Sequence, residues 1–506
     1  MNKATATVTV IAVVGTALAA LYFSRRRKNQ IPSDIIYPFV GNLPQLSKYT
    51  EKNSFHEYML SLAKYGKIAR FVVGSSERIL LNDAAESARI LLSPEWDKID
   101  QGLATDGIFN NSLIGLHGDV HKRHRKALQP AFGPAHLRNA FLQSSKSTTQ
   151  LIEQWKSHKG DFVVELLASM NAITMDVIGR VALGQDLGMV ASLSQPSENG
   201  LVIKAEMENL KIMQMKRRTA PHFLWPFLHL TGADARHETQ GVRNFLASII
   251  QKKRAALDLS GKIDLSVLSN SEKFETTTNW DVIDRLIAGN AGAKGVDVVF
   301  TPEQISDEVF VFFLAGSDTT AMTLTTLFAL LASHPHVLKK LQHDIDSVLG
   351  RDGVLTQEIL QQLTYLDCTM KEVMRFFPVA IQTQFRTPLV PTTVCGYTIN
   401  PGQPIAVNTS AIQRNPEYWQ DPDKFWPERW ENGFTPVSGS YVPFGNGIAN
   451  CIGQRMANIE SRTVAALLLQ SFDVELVEGQ EVFRTTHLLT GYNDGLLFRF
   501  KSRIEN

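Results

Sequence analysis

One stretch, Phe444-Gly445-Asn446-Gly447-Ile448-Ala449-Asn450-Cys451-Ile452-Gly453, constrains this chain more than any other. It sets a cysteine on a glycine-rich loop, with Phe444 seven positions before it and a helical stretch through Ala457 and Glu460 directly after it. Such a loop presents a thiolate. A cysteine that ligates a metal must be deprotonated, and the anion survives where donors and positive potential depress its pKa. The backbone N–H groups of a tight loop and the N-terminal end of the following helix supply both. Gly447 and Gly453, without a Cβ, let the backbone approach a flat ligand closely. Cys368 and Cys395 lack such surroundings and read as small buried hydrophobes.

The pattern Phe444-x-x-Gly447-x-x-x-Cys451-x-Gly453 resembles the haem-binding loop of the cytochrome P-450 family of haem-thiolate monooxygenases. The resemblance implies that Cys451 is the axial ligand of haem b iron, with Phe444, Gly447 and Gly453 beside the cofactor. It also implies a mainly α-helical fold with small β-sheets, a single large domain holding one haem. In that family the thiolate pushes electron density toward the metal and favours O–O cleavage.

Four further stretches fall in the order the family has them. Thr301-Pro302-Glu303-Gln304 is a capped helix start, with proline at the first helical position and a Thr-x-x-Gln capping box. The helix runs apolar through Phe310 and Leu314 to about Ser333, which makes it central and buried. Its middle reads Ala315-Gly316-Ser317-Asp318-Thr319-Thr320, and polar groups there cost free energy unless used or satisfied. Threonines bonding back to the helix and Asp318 in an ion pair account for each residue singly. The resemblance implies instead that Ala315 and Gly316 leave room for molecular oxygen, and that Asp318 and Thr319 are an acid–alcohol pair relaying protons to it.

Glu372 and Arg375, three apart, share a helix face. Phe425-Trp426-Pro427-Glu428-Arg429-Trp430 resembles the family's meander, which implies that Arg429 completes a buried Glu372–Arg375–Arg429 network serving structure and haem retention. Gly118 to Phe132 reads as a basic helix stopped near Pro130, and a charge run such as Lys122, Arg123, Arg125 and Lys126 is ordinarily a solvated face. The resemblance turns Arg125 to a haem propionate and the others to a redox partner. Where the family has a tryptophan this chain has His121, which either donates to a propionate or is simply exposed. Arg386 matches a second propionate-binding arginine, but the arginine usual two positions before the cysteine is Ala449, so one anchoring charge is missing. His117, His121 and His124 have no carboxylate or cysteine at ligand spacing and make a poor metal site.

Size and charge set outer limits. With 506 residues, 44% of them hydrophobic, the chain can bury a large core. A formal net charge of +1 gives no argument for a nucleic-acid partner. Three cysteines, an odd number, argue against a disulfide framework and for a reducing compartment. Ala4 to Phe23 is an uncharged run of 20 residues, diluted by four threonines, and Arg25, Arg26, Arg27 and Lys28 follow it. That is a membrane anchor with its basic flank on the cytosolic side. Ala17-Leu18-Ala19 offers a signal-peptide cleavage site as the competing reading, which the basic block disfavours.

The expected organisation is a transmembrane anchor over residues 1–24, a basic and proline-rich hinge over 25–45, and a haem-thiolate domain over 46–506. The protein would sit in the endoplasmic reticulum membrane as a single-pass protein, its catalytic domain in the cytosol. Phe223 to Leu228, with Trp225 and Phe227, falls where the family has a mobile helix pair and suggests a substrate lid that dips into lipid. Gly289, Gly292 and Gly295 have the wrong spacing for a dinucleotide site and no strand before them. Electrons therefore come from another protein, which the resemblance identifies as an NADPH-dependent flavoprotein reductase, with cytochrome b5 as a further donor. Val379 to Gln384 would line the substrate pocket. The expected reaction inserts one oxygen atom from O2 into an apolar organic small molecule, as in secondary metabolism. The alternatives are a haem-thiolate isomerase or dehydratase, which would not need proton delivery, and a haem sensor or carrier.

Overall fold

The computed structural model describes residues 30–503, apart from 38–39, 50–53, 74–75, 100–110, 159, 196, 198–199, 201, 204, 207–208, 210–238, 261–280, 291–299, 487–488 and 494. The expected anchor, Pro38, Trp225, Phe227, Gly292 and Gly295 lie outside the described residues.

The helices used below are α1 (Phe55–Ser61), α2 (Ala84–Leu92), α3 (Gly118–Leu128), α4 (Pro134–Lys156), α5 (Leu166–Ile178), α6 (Pro302–Ser333), α7 (Pro335–Leu349), α8 (Thr364–Phe376) and α9 (Gln454–Ser471). Helix α6 starts where its capping box predicts. The Thr301 hydroxyl accepts from Gln304 N and the Gln304 side chain accepts from Thr301 N, which satisfies two orphan groups of the first turn. It stops at His334 because Pro335 excludes helical backbone in the residue before it. The segment Leu166–Leu183 and α6 are each long and apolar enough to cross a membrane, yet 83% and 78% of their apolar windows are buried within the protein. They are core helices: α5 packs along α6, and α4 packs along α9.

Among the described residues, four small sheets accompany this core. The largest has the order β1-β2-β8-β5-β3, from Ile68–Val73, Ser76–Leu81, Ile405–Val407, Arg386–Pro388 and Trp96–Lys98. Gly66, at φ +88, ends the turn after α1 and starts β1. Strand β5 pairs antiparallel with β3 and sets Lys98 directly opposite Arg386. A second sheet orders β4 (Phe162–Glu165), β12 (Leu497–Ser502) and β9 (Phe472–Leu476). It is held to α4 by Trp155, packed against Phe162, Phe472 and Phe500. Two hairpins complete the set, β6–β7 (Thr392–Val394 and Tyr397–Ile399) and β10–β11 (Arg484–Thr486 and Thr490–Tyr492).

Cys368 is buried beside Trp419 and Trp430. Cys395 departs from the expectation for it: it is half-buried, with φ 49, in the turn of the β6–β7 hairpin, where two successive left-handed residues join the strands.

Candidate active site

The cysteine loop is closed by Cys451 N donating to Phe444 O at 2.8 Å, with Gly445 and Gly447 at φ +68 and +70. Cys451 has exposed surface, yet burial is the largest influence on its thiol and pushes its pKa up. The N–H groups of Gly453 and Gln454 at the start of α9, and the Arg125 guanidinium, act in the opposite direction. The expected lowering of the thiol pKa is thus outweighed by burial, and coordination to a metal would complete deprotonation.

Two glycines also answer to packing. A Cβ on Gly447 would overlap the Leu91 carbonyl in α2, so its missing side chain admits that helix. A Cβ on Gly316 would fall 2.7 Å from Ile178, so this glycine admits α5 to α6. Gly453 is unstrained at φ −85, and a Cβ there would make ordinary contacts with Phe132 and the Cys451 sulfur at 3.9 and 4.0 Å.

Phe132 links the loop to the central helix, its ring 5.6 Å from Phe312. Phe312, Ala315 and Thr319 follow at helical spacing on one face of α6. Ala315 is exposed and Thr319 half-buried in a helix otherwise buried around them, so the helix opens here. The Thr319 hydroxyl donates to the Ala315 carbonyl at 2.9 Å. Its lone pairs remain available on the open side. Asp318, the neighbouring residue, is buried.

Helix α3 sorts its charges by direction. Lys122, Arg123 and Lys126 are exposed, whereas His121 and His124 are buried. Arg125 turns inward, donating from Nη1 to the Asn450 carbonyl at 2.6 Å and from Nη2 to the Asn450 side chain. His121 is 3% exposed, and burial, then Lys98, Arg125 and Arg386, lower its pKa to about 3. Burial lowers Arg386 to about 10. It lowers Lys98, a residue the sequence did not single out, to about 7. Among the described residues no group of three His, Cys, Asp or Glu side chains is placed to hold a bare metal ion.

In a second cluster, Glu372 accepts from Arg375 Nε (2.9 Å) and Nη2 (2.8 Å), Arg429 Nε (3.1 Å), Trp430 Nε1 (2.9 Å) and Trp426 N (2.9 Å). The remaining guanidinium donors of Arg375 and Arg429 go to the carbonyls of Gln413, Gln420, Asp421, Pro422 and Lys424. The sequence brought Glu372, Arg375 and Arg429 together. It did not reveal that Trp426 and Trp430 complete the carboxylate's shell.

The sequence profile described as "Cytochrome P450" matches residues 32–494. The chain belongs to the cytochrome P450 family. As such it is a haem-binding monooxygenase, an oxidoreductase of the haem-thiolate class, and draws on redox partners and small-molecule substrates as the family does. It is 27% identical over 470 residues to a Caenorhabditis elegans chain named for cytochrome P450 CYP13A7, covering 87% of each. It is 26% identical over 405 residues to "Cytochrome P450 4V2" of Rattus norvegicus, covering 78% of this chain and 74% of the relative.

The P450 site can be tested against its cofactor from its own atoms. Haem b is a flat apolar ring with two carboxylates, so it needs a sulfur on one face, an apolar wall and cationic donors at one edge. Cys451 offers the sulfur on a loop that meets Phe132 at Gly453, and Phe132 packs against the apolar Phe312 of α6. Arg386 Nε and Nη1 are buried with no hydrogen-bond partner among the described residues. Buried orphan donors of a charged group are costly, and a carboxylate would satisfy them. The residues present fit the group.

Proposed function

We propose that the Cys451 sulfur ligates haem b and that the chain inserts one atom of O2 into an apolar organic small molecule. Electrons come from a separate NADPH-dependent flavoprotein reductase, with cytochrome b5 as a further donor. The observation that carries this reading is the buried Arg386, whose Nε and Nη1 have no hydrogen-bond partner among the described residues, in a chain whose cysteine loop meets Phe132 at Gly453 and through it Phe312 of α6. Bound haem supplies the redox chemistry that activates oxygen. The chain supplies the rest.

The N–H groups of Gly453 and Gln454 donate to the sulfur and steady its negative charge. Arg386 and His121 hold the propionates, while Arg125 braces the loop through Asn450 and adds positive charge beside the sulfur. The Thr319 hydroxyl has its proton committed to Ala315, so it accepts a hydrogen bond from the open side, and Asp318 passes protons toward that position. Residues 379–384 line the substrate space, supported by Thr490 N donating to the Val379 carbonyl. The Glu372–Arg375–Arg429 network holds the loop's underside and retains haem.

Residues 1–24 anchor the protein in the endoplasmic reticulum membrane, residues 25–45 form a hinge, and residues 46–506 face the cytosol as the catalytic domain. The apolar run before Arg25 and the basic block after it support this reading. Protease treatment of sealed microsomes should digest the C-terminal domain; protection of that domain would overturn it.

The decisive test is the optical spectrum of the reduced, carbon-monoxide-treated protein. A red-shifted Soret band that disappears in Cys451→Ser is expected. Product formation should require both oxygen and reductase. Product formed without either would indicate isomerase or dehydratase chemistry.

A further inference from the structure

We propose that Lys98 supplies the cation for a haem propionate that Ala449 does not, so that the carboxylates are gripped from the β3–β5 strand pair rather than from the cysteine loop. The inference rests on the haem-thiolate reading above.

Strand register is the first observation. Lys98 and Arg386 are direct cross-strand partners, and they are 6% and 2% exposed. Like charges in that relation repel, and burial removes the water that would screen them. A fold that keeps two such cations opposite each other needs an anion between or beside them.

The second observation is donor geometry. Lys98 Nζ donates to the Leu113 and Ile114 carbonyls at 2.9 and 3.0 Å, which leaves the third of its N–H groups without a described partner. Beside it Arg386 has Nε and Nη1 unpaired. These donors share an electrostatic neighbourhood with Arg125 and His121: Lys98, Arg125 and Arg386 all lower the His121 pKa, Arg386 and Arg125 lower that of Lys98, and Arg125 lowers that of Arg386.

The third observation is the shortage of acid. Asp97 accepts from the backbone N–H groups of Lys98 and Gly118. Glu308 accepts from Leu113 N at 2.7 Å and faces His124 Nδ1 at 3.5 Å, and its burial favours the neutral acid. Lys98, Arg125 and Arg386 thus outnumber the carboxylates near them. Two propionates would balance the cluster. Lys98 would also couple haem to the chain leading into α3, because the same ammonium holds the carbonyls of Leu113 and Ile114.

The experiment measures haem transfer from the full, haem-loaded protein to excess apomyoglobin, for haem b and for haem with both propionates esterified. Lys98→Gln removes the charge but keeps donors for the Leu113 and Ile114 carbonyls. It should lose haem b about tenfold faster than the wild type, the scale of one charged hydrogen bond. Lys98→Arg should lose haem b at the wild-type rate. Adding Ala449→Arg to Lys98→Gln should restore slow loss. Esterified haem should leave the wild type and Lys98→Gln at the same rate.

Unchanged loss of haem b from Lys98→Gln would overturn the assignment, as would faster loss of both haems alike, which marks a purely structural role. Should Lys98→Gln not fold, the Arg variant decides: loss of haem b as fast as that of the esterified haem defeats the proposal. Failure of the haem-thiolate reading itself would show separately, as a wild type without the red-shifted carbon monoxide band.

Discussion

Glu372 shows how much one side chain can organise. Five N–H groups converge on its two oxygens, and the two guanidinium groups it pairs with are buried and otherwise spent on backbone carbonyls. Replacing it with glutamine leaves two buried positive charges without a counter-ion, a loss of about 3–5 kcal/mol. Urea unfolding should show that loss, together with reduced haem content per chain. His56 makes a different prediction. It is buried between α1 and β10, with its ring and backbone N both meeting the Thr486 hydroxyl. Burial, then Arg484 and Arg414, lower its pKa to about 3 from 6.5. Between pH 6.5 and 3 the unfolded chain therefore binds more protons than the folded one, and stability rises with pH through that window. Above 6.5 this contribution is complete, and it is lost as pH falls toward 3. His56→Gln in the haem-loaded protein should flatten the acid-side stability curve by up to about 1.4 kcal/mol per pH unit, read from urea midpoints.

At the scale of elements, α6 is decided twice over. Its start is local chemistry: Thr301, Pro302 and Gln304 need only one another. Its seating is long-range, because Ile178 of α5 occupies the space a side chain on Gly316 would take. Gly316→Val should cost about 1–3 kcal/mol through overpacking. Ile178→Ala in the same chain should recover part of that loss, and the double-mutant coupling should reach about 1 kcal/mol. Additive effects of the two substitutions would show that the helices do not meet there.

For the whole molecule, the buried faces of α5 and α6 account for two apolar stretches of membrane-spanning length without a membrane. The run from Ala4 to Phe23 is proposed above as the membrane anchor. Removing residues 1–29 should move the protein from the membrane pellet to the supernatant while leaving the carbon monoxide band in place. Loss of the band on truncation would mean that the leading segment supports the haem domain itself.

Much of the site was legible because its signals are short. The capping box of α6, the turn at Gly66, the cysteine loop and the Glu372–Arg375 spacing each depend on residues within about one helical turn or one loop. Lys98, Asn450, Trp430 and Glu308 were not legible, since their meaning comes from partners far along the chain. Lys98 is an unremarkable strand residue until β3 pairs with β5 in one register, and Asn450 until α3 turns Arg125 toward it. The packing demand on Gly447 and Gly316 was hidden for the same reason: the neighbours that require a glycine there, Leu91 and Ile178, are remote in sequence. The order of residues by itself determined which thiol is offered and where the central helix begins, because backbone geometry and capping act over a few residues. Only the tertiary structure decided which cations stand together in excess of the acids near them, because burial and charge shortage are properties of packed neighbours.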